Sequence, residues 1–283
     1  MRTMEEALIQ GKAFLKEKGI TEGDLDAWYL LSHYFHIDRA RYIMNSRMAI
    51  TEEQYHQYLA LIYKRGRHVP LQYITGEQEF MGLKFLVKED VLIPRQDTEI
   101  LVEEALKVSE GKEVLDLCTG SGCIIISLAK LGGTHNAVGV DISKKALILA
   151  EENARQLQAD VTFLESDMYT QVSGKYDIII SNPPYIPTRD ISGLMEEVKN
   201  YEPVLALDGS MDGLYFYRVI ISGIGQFLKP DGYIFLEIGC SQAEAVSELL
   251  REAGIVDIEV IDDLAGLNRV IRGRYKKEEE SFT

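Results

Sequence analysis

The sequence predicts an α/β protein: a largely parallel sheet with helices on both faces, preceded by a small helical bundle and a β-hairpin connector. Three observations carry that expectation. Apolar residues recur at three-to-four spacing through the first part of the chain, in "MEEALIQGKAFLKEKG", "DLDAWYLLSHYFH" and "YHQYLALIYKRG". The texture then changes to alternation in "GEQEFMGLKFLVKEDVLIPR", with Gly82 at its centre. From residue 97 onward, strand-sized apolar runs take turns with helical patterns.

Taken in order, residues 1–70 form the bundle. Thr21 with Asp24, and Thr51 with Gln54, have the spacing of helix-capping boxes, and Gly66 suits a helix end. Short polar links between these helices favour antiparallel neighbours. Residues 71–95 are the hairpin linker. Residues 96–275 hold the strands "EVLDLC", "NAVGVD", "VTFLES", "YDIIIS", "DGYIFLEIG", "IVDIEVID" and "NRVIRGR", with a helix from Ser121, another through "KKALILAEENARQL" and a third over "AEAVSELLREAG". The tail "KKEEESFT", residues 276–283, is too polar to pack and is expected to be disordered.

Composition excludes several functional classes. The 283-residue chain carries a net charge of −15, of which residues 1–75 contribute +1 and the remainder −16. Such acidity argues against a protein whose main grip is on phosphate backbones, so no direct nucleic-acid partner is expected. No apolar run is long enough to span a membrane, and the amphipathic start is unlike a secretory signal. Cys118, Cys123 and Cys240 form no CxxC or Cys/His cluster, so free thiols in a reducing cytoplasm are expected, with no metal. His33 and His36 share a helical spacing but have no acidic or thiol companion, and are read as packing or surface residues. No coiled-coil seam or extended apolar stripe demands a partner copy, so a monomer is expected.

In an open parallel sheet, ligands bind at the carboxyl ends of the strands. There "LDLCTGSGC" places Asp116 at a strand end, followed by Gly120 and Gly122 before an apolar helix. Glycines at that turn let a ligand approach the backbone closely. The next strand ends in Asp141, where a carboxylate can accept from two ribose hydroxyls. A dinucleotide fold has similar features, but Ile125 stands where the third glycine of G-x-G-x-x-G would fall. An acidic strand end directly before the loop is more typical of S-adenosylmethionine enzymes. In "FLESDMY", Asp167 and Met168 suit an adenine amine and ring, or equally a solvated acid and a core methionine. In "YDIIISNPPYIP", two prolines end the strand and rigidify its exit around Asn182.

The order DLCTGSG, VGVD, SDMY, SNPPY resembles a class I S-adenosylmethionine-dependent methyltransferase, with its Rossmann-like sheet. With "TGEQEFMGLKF", "LIPRQDTEILVEEAL" and "YEPVLALDGSMDGL", the chain resembles the PrmC/HemK family of release factor N5-glutamine methyltransferases along nearly its full length. The resemblance implies transfer of a methyl group from S-adenosylmethionine to the glutamine side-chain amide of a Gly-Gly-Gln loop in class-1 peptide chain release factors. The helical domain would dock that protein substrate. It implies a cofactor loop of Cys118, Thr119, Gly120, Ser121 and Gly122, with Asp141 on the ribose and Asp167 and Met168 by the adenine. Asn182 would touch both cofactor and substrate, and Pro183, Pro184 and Tyr185 would complete the substrate cradle. One departure stands out: the family's loop usually begins with Gly where this chain has Cys118. A side chain there is expected to require a negative φ, with its Cβ turned from the cofactor.

A carboxamide nitrogen is a poor nucleophile, because its lone pair is delocalised into the carbonyl. Two acceptors taking its N–H protons would orient it and favour charge developing on nitrogen. The Asn182 side-chain oxygen and the Pro183 carbonyl suit that task, and the Tyr185 ring suits stacking on a planar amide. The same features would serve an adenine N6-methyltransferase acting on nucleic acid. A cofactor-binding scaffold without catalysis is the remaining alternative.

Overall fold

The structure, a computed structural model, describes residues 2–276, so the tail expected at 276–283 lies, Lys276 apart, outside the described residues. The chain divides into two compact units. One comprises the described residues up to Glu77 together with Met195–Tyr201; the other comprises Gln78–Leu194 and the described residues from Glu202.

In the first unit, β1 (Arg2–Thr3) leads into α1 (Met4–Glu17), α2 (Gly23–Phe35), α3 (Arg39–Asn45), β2 (Ala49–Ile50), α4 (Glu52–Arg65) and α5 (Leu71–Thr75). The expected box at α4 forms: Gln54 N–H donates to Thr51 Oγ1 at 3.1 Å, and Thr51 N–H donates to Gln54 Oε1 at 2.9 Å. Thr3 and Glu6 build the same device on α1. The expected Thr21 box does not form, because α2 begins at Gly23 with Glu22 as a cap that makes no side-chain bond. A Cβ at Gly23 would lie 2.9 Å from the Leu15 Cβ, so this helix starts where its backbone presses against α1. Leu15, Leu30, Leu31, Tyr58 and Ile62 fill the bundle core. Beside them a buried ion pair joins Arg65 Nε to Asp26 Oδ2 at 2.6 Å, and Arg65 Nη2 also lies 2.8 Å from Glu197. Glu197 belongs to a short helix, Glu196–Tyr201, which is far along the chain yet part of this unit.

From Gln78 the chain belongs to the second unit: β3 (Glu77–Phe80) and β4 (Leu83–Leu86) make the hairpin, and Met81 and Gly82 at its turn both have positive φ, 53° and 70°. That is the backbone a two-residue primed turn requires. Then come α6 (Asp97–Leu106), β5 (Glu113–Leu117), α7 (Cys123–Leu131), β6 (Asn136–Asp141), α8 (Lys144–Leu157), β7 (Thr162–Glu165) and β8 (Tyr176–Ser181). The chain continues through α9 (the Glu196–Tyr201 helix), α10 (Tyr215–Ser222), α11 (Ile224–Phe227), β9 (Leu228–Glu237), α12 (Ala243–Glu252), β10 (Ile255–Asp262) and β11 (Asn268–Tyr275).

The large sheet has the strand order β10-β11-β9-β8-β5-β6-β7. Its five strands from β9 to β7 run parallel, while β11 pairs antiparallel with both β9 and β10. Along β8, Ile178 and Ile180 enter the core shared with α6 and α7, whereas Ile179 enters the core shared with α10 and α12. Both faces are therefore covered, as an apolar run such as Ile178–Ile180 requires. The chain steps outward from β5 to β6 and β7, then returns to β8 on the other side of β5. Ligand crevices open at such a reversal. The register aligns the strand exits there: Leu117 lies opposite Ser181, and Ser181 opposite Leu236.

Candidate active site

Beyond those exits lies a cavity of about 230 Å³. The structure brings Cys118, Thr119, Gly120 and Ser121 from the β5 loop to its wall. It adds Asp141 from β6, Asp167 and Met168 from the turn after β7, and Asn182 and Pro184 from the exit of β8. Gly122, Pro183 and Tyr185 are not on that wall. Gly122 is instead the N-cap of α7, and a Cβ there would meet Ile126 at 2.8 Å and Ala150 at 3.1 Å. Its lack of a side chain serves helix packing, with φ at 79°. Gly120 differs: a Cβ added to it would enter open space.

Cys118 corrects the sequence expectation, since its φ is +60°. The chain turns left-handed there so that Thr119 N–H can reach Val140 O on β6 at 2.9 Å. The thiol packs 3.8 Å from the Met168 sulfur, and Met168 has a positive φ of its own, 48°. Burial raises the Cys118 thiol, so it is a neutral apolar wall and not a nucleophile. Beneath it, Asp116 accepts from Thr119 Oγ1 at 2.6 Å, and burial pushes its carboxyl up to about 8. Asp141 fixes the loop, accepting from Gly120 N–H at 2.9 Å and Ser143 N–H at 2.8 Å. Burial raises Asp141 too, against those backbone donors. With four acceptor positions, its carboxylate keeps capacity for further hydroxyl donors.

Asn182 is held from α6. Its Nδ2 donates to Thr98 Oγ1 at 3.1 Å, and Thr98 Oγ1 donates to Glu237 Oε2 at 2.6 Å. The polar residues of "PRQDTE" thereby acquire separate tasks. Arg95 pairs with the buried Glu202, Asp97 lies 3.4 Å from Arg269, and Glu99 accepts from Met81 N–H at the hairpin turn. Tyr185 is anchored at both ends. Its Oη donates to Glu237 Oε1 at 3.3 Å, and its carbonyl accepts from Gln242 Nε2 at 3.0 Å. Gln242 also takes Gly239 N–H on its Oε1 and donates to Gly213 O at 3.2 Å, while the Tyr217 hydroxyl, 3.3 Å from that Oε1, donates to the Glu237 carbonyl at 2.9 Å.

Sequence reasoning missed Thr98, Glu237 and Gln242 as parts of the site. The acid in "FLEIG" sits at a strand exit, just as Asp116 and Asp141 do, and that shared position was the available signal. It also missed apolar residues of the wall: Val91 and Ile93 from an irregular segment without periodicity, Leu205 from a single 3-10 turn and Phe216 from the first turn of α10.

Comparison with known proteins places this geometry. Residues 6–76 match the PrmC N-terminal domain, and residues 95–211 match the methyltransferase small domain. The chain is 40% identical over 274 residues to the release factor glutamine methyltransferase of Geobacter sulfurreducens, covering 96% of each. It is 43% identical over 253 residues to that of Thermodesulfovibrio yellowstonii, covering 87% of this chain and 90% of the relative. A methyltransferase from Pyrococcus furiosus shares the fold, with a TM-score of 0.55 at 15% identity over 78% of this chain and 99% of the other. With an N-terminal region that matches the PrmC N-terminal domain and a later region that matches the methyltransferase small domain, the chain belongs to the release factor glutamine methyltransferase family.

Proposed function

We propose that this protein methylates the side-chain amide nitrogen of the glutamine in the Gly-Gly-Gln loop of class-1 peptide chain release factors, with S-adenosylmethionine as donor. The observation that carries the reading is the Asn182 amide on the cavity wall, its nitrogen already committed to Thr98 and its oxygen left to accept. The cavity suits the donor: Gly120 has open space where a Cβ would stand, Asp141 has spare acceptor capacity at a strand exit, and Met168 offers an apolar wall. When bound, S-adenosylmethionine supplies a methyl group activated by its sulfonium. The protein's own residues would do the positioning. Gly120 and its neighbours would admit the methionine end, Asp141 would accept from the ribose, and Asp167 and Met168 would flank the adenine.

Asn182 Oδ1 and the Pro183 carbonyl would take the two protons of the substrate amide. They would align its nitrogen and favour the charge that develops there. Pro183 and Pro184 fix the backbone before substrate arrives, so little ordering entropy is lost on binding. Tyr185, clamped by Glu237 and Gln242, would present its ring to the planar amide. Residues 1–70 would serve as the docking domain for the protein substrate and 71–95 as the connector, in a monomer working in the cytoplasm. Glycines beside the target glutamine would let it reach the cavity, because larger neighbours would collide with the rim.

Incubation with labelled S-adenosylmethionine and a purified class-1 release factor tests the assignment. Label is expected on the release factor. Label on DNA or tRNA with none on release factor would contradict the assignment and favour the nucleobase alternative.

A further inference from the structure

We propose that Thr98 and Glu237 are positioning residues that determine which end of the Asn182 amide meets the substrate. This rests on the glutamine-methylation reading and deepens it. Glu237 closes β9 with its side chain buried, and its two oxygens receive separate donors, Thr98 Oγ1 at 2.6 Å and Tyr185 Oη at 3.3 Å. An ionised carboxylate can only accept. The single proton of the Thr98 hydroxyl is therefore spent on Glu237, and toward Asn182 the hydroxyl can only accept. Asn182 must then offer Thr98 its NH2 group, as the 3.1 Å contact from Nδ2 records. The amide oxygen is left for the substrate.

The direction of this chain matters because a glutamine amide nitrogen carries two protons. It needs acceptors opposite it. A donor at Glu237 would let Thr98 turn its proton toward Asn182, which would rotate the amide and confront the substrate NH2 with another NH2. Glu237 thus acts on the reaction through two intervening groups, without standing on the cavity wall.

The charged and titratable groups facing Glu237 come from several elements. Arg269 on β11 favours its ionised form and Asp97 on α6 opposes it. Tyr185, Tyr217 and Cys123 also face it, and burial raises all three, keeping them neutral. Burial pushes Glu237 itself up to about 7, so its ionised fraction changes across the neutral range.

The test uses the full chain with labelled S-adenosylmethionine and purified release factor. A wild-type protein that leaves the release factor unlabelled would overturn the functional reading itself, before any variant is compared. Given an active wild type, Glu237→Gln keeps the shape and adds a donor, and kcat is expected to fall roughly 100-fold. Cofactor affinity by calorimetry should stay within about threefold, and the melting temperature should hold or rise, because a buried charge has been removed. Thr98→Val should lose as much turnover, while Thr98→Ser, which restores the hydroxyl, should recover to within about threefold of wild type. The double variant Glu237→Gln/Thr98→Val should be no worse than Thr98→Val alone, since a broken chain cannot transmit the change at Glu237. Wild-type kcat should fall as pH drops from about 8 to about 6, and Glu237→Gln should lack that limb. Glu237→Gln turning over within about threefold of wild type would overturn the proposal, as would a turnover loss that only tracks a fall in melting temperature.

Discussion

Gly120 and Gly122 stand two residues apart in one left-handed turn, with φ of 55° and 79°, and they answer different demands. Adding a methyl group separates them. Gly120→Ala would cost about 1 kcal/mol in backbone strain and would push its Cβ into the cavity, so cofactor affinity should fall at least about tenfold in a calorimetric titration. Gly122→Ala meets Ile126 and Ala150 instead, and its loss should appear in the denaturation midpoint, at about 2 kcal/mol or more. Cys118 shows that the same turn admits a side chain when that side chain is small and has an apolar neighbour, here the Met168 sulfur. Asn182→Ala removes the acceptor and not the cavity. Turnover should drop about 100-fold or more while cofactor affinity changes only a few-fold, and unchanged turnover would refute the acceptor role.

At the scale of elements, the strand exits were legible in the sequence and the connecting segments were not. Asp116, Gly120, Asp141, Met168 and Asn182 could be placed together because each lies at or within three residues of the carboxyl end of a strand in a parallel sheet, and the topology brings such ends to one edge. Tyr185 could not be placed so well. Its ring position depends on Glu237 and Gln242, which lie more than fifty residues further along the chain. Helix α6 was hidden because "PRQDTE" reads as a motif, and its charges resemble a solvated face until their partners on β9, β11 and the hairpin are seen. The short helix Glu196–Tyr201 was missed for the same reason, since its acids find Arg65 and His68 in the helical unit. Arg65→Ala would strand Asp26, whose carboxyl burial raises, beside Glu197. Urea denaturation should show a loss of about 3–5 kcal/mol, against about 1 kcal/mol for the exposed cap variant Thr51→Ala.

Across the whole molecule, charge and pH give independent checks. With a balance of −16 outside residues 1–75, titration with duplex DNA should show no salt-sensitive binding. Asp116 and Glu237, pushed up to about 8 and about 7 by burial, both have folded values above their unfolded ones. Their contribution to stability is complete below the ordinary carboxylate range and is lost as pH rises through those values. The protein should therefore melt lower at about pH 9 than at about pH 6, and Asp116→Asn should narrow the gap. For Glu237 this sets stability against activity, because the ionised form that orders Asn182 is the form that folding disfavours. No helix among the described residues is long and apolar enough to cross a membrane. The most direct test of the central claim is peptide mapping of a class-1 release factor by mass spectrometry after incubation with the protein and S-adenosylmethionine. One added methyl group, localised to the glutamine of the Gly-Gly-Gln loop and absent with Asn182→Ala, is the expected result. A methyl group on any other residue, or an equal yield from Asn182→Ala, would contradict it.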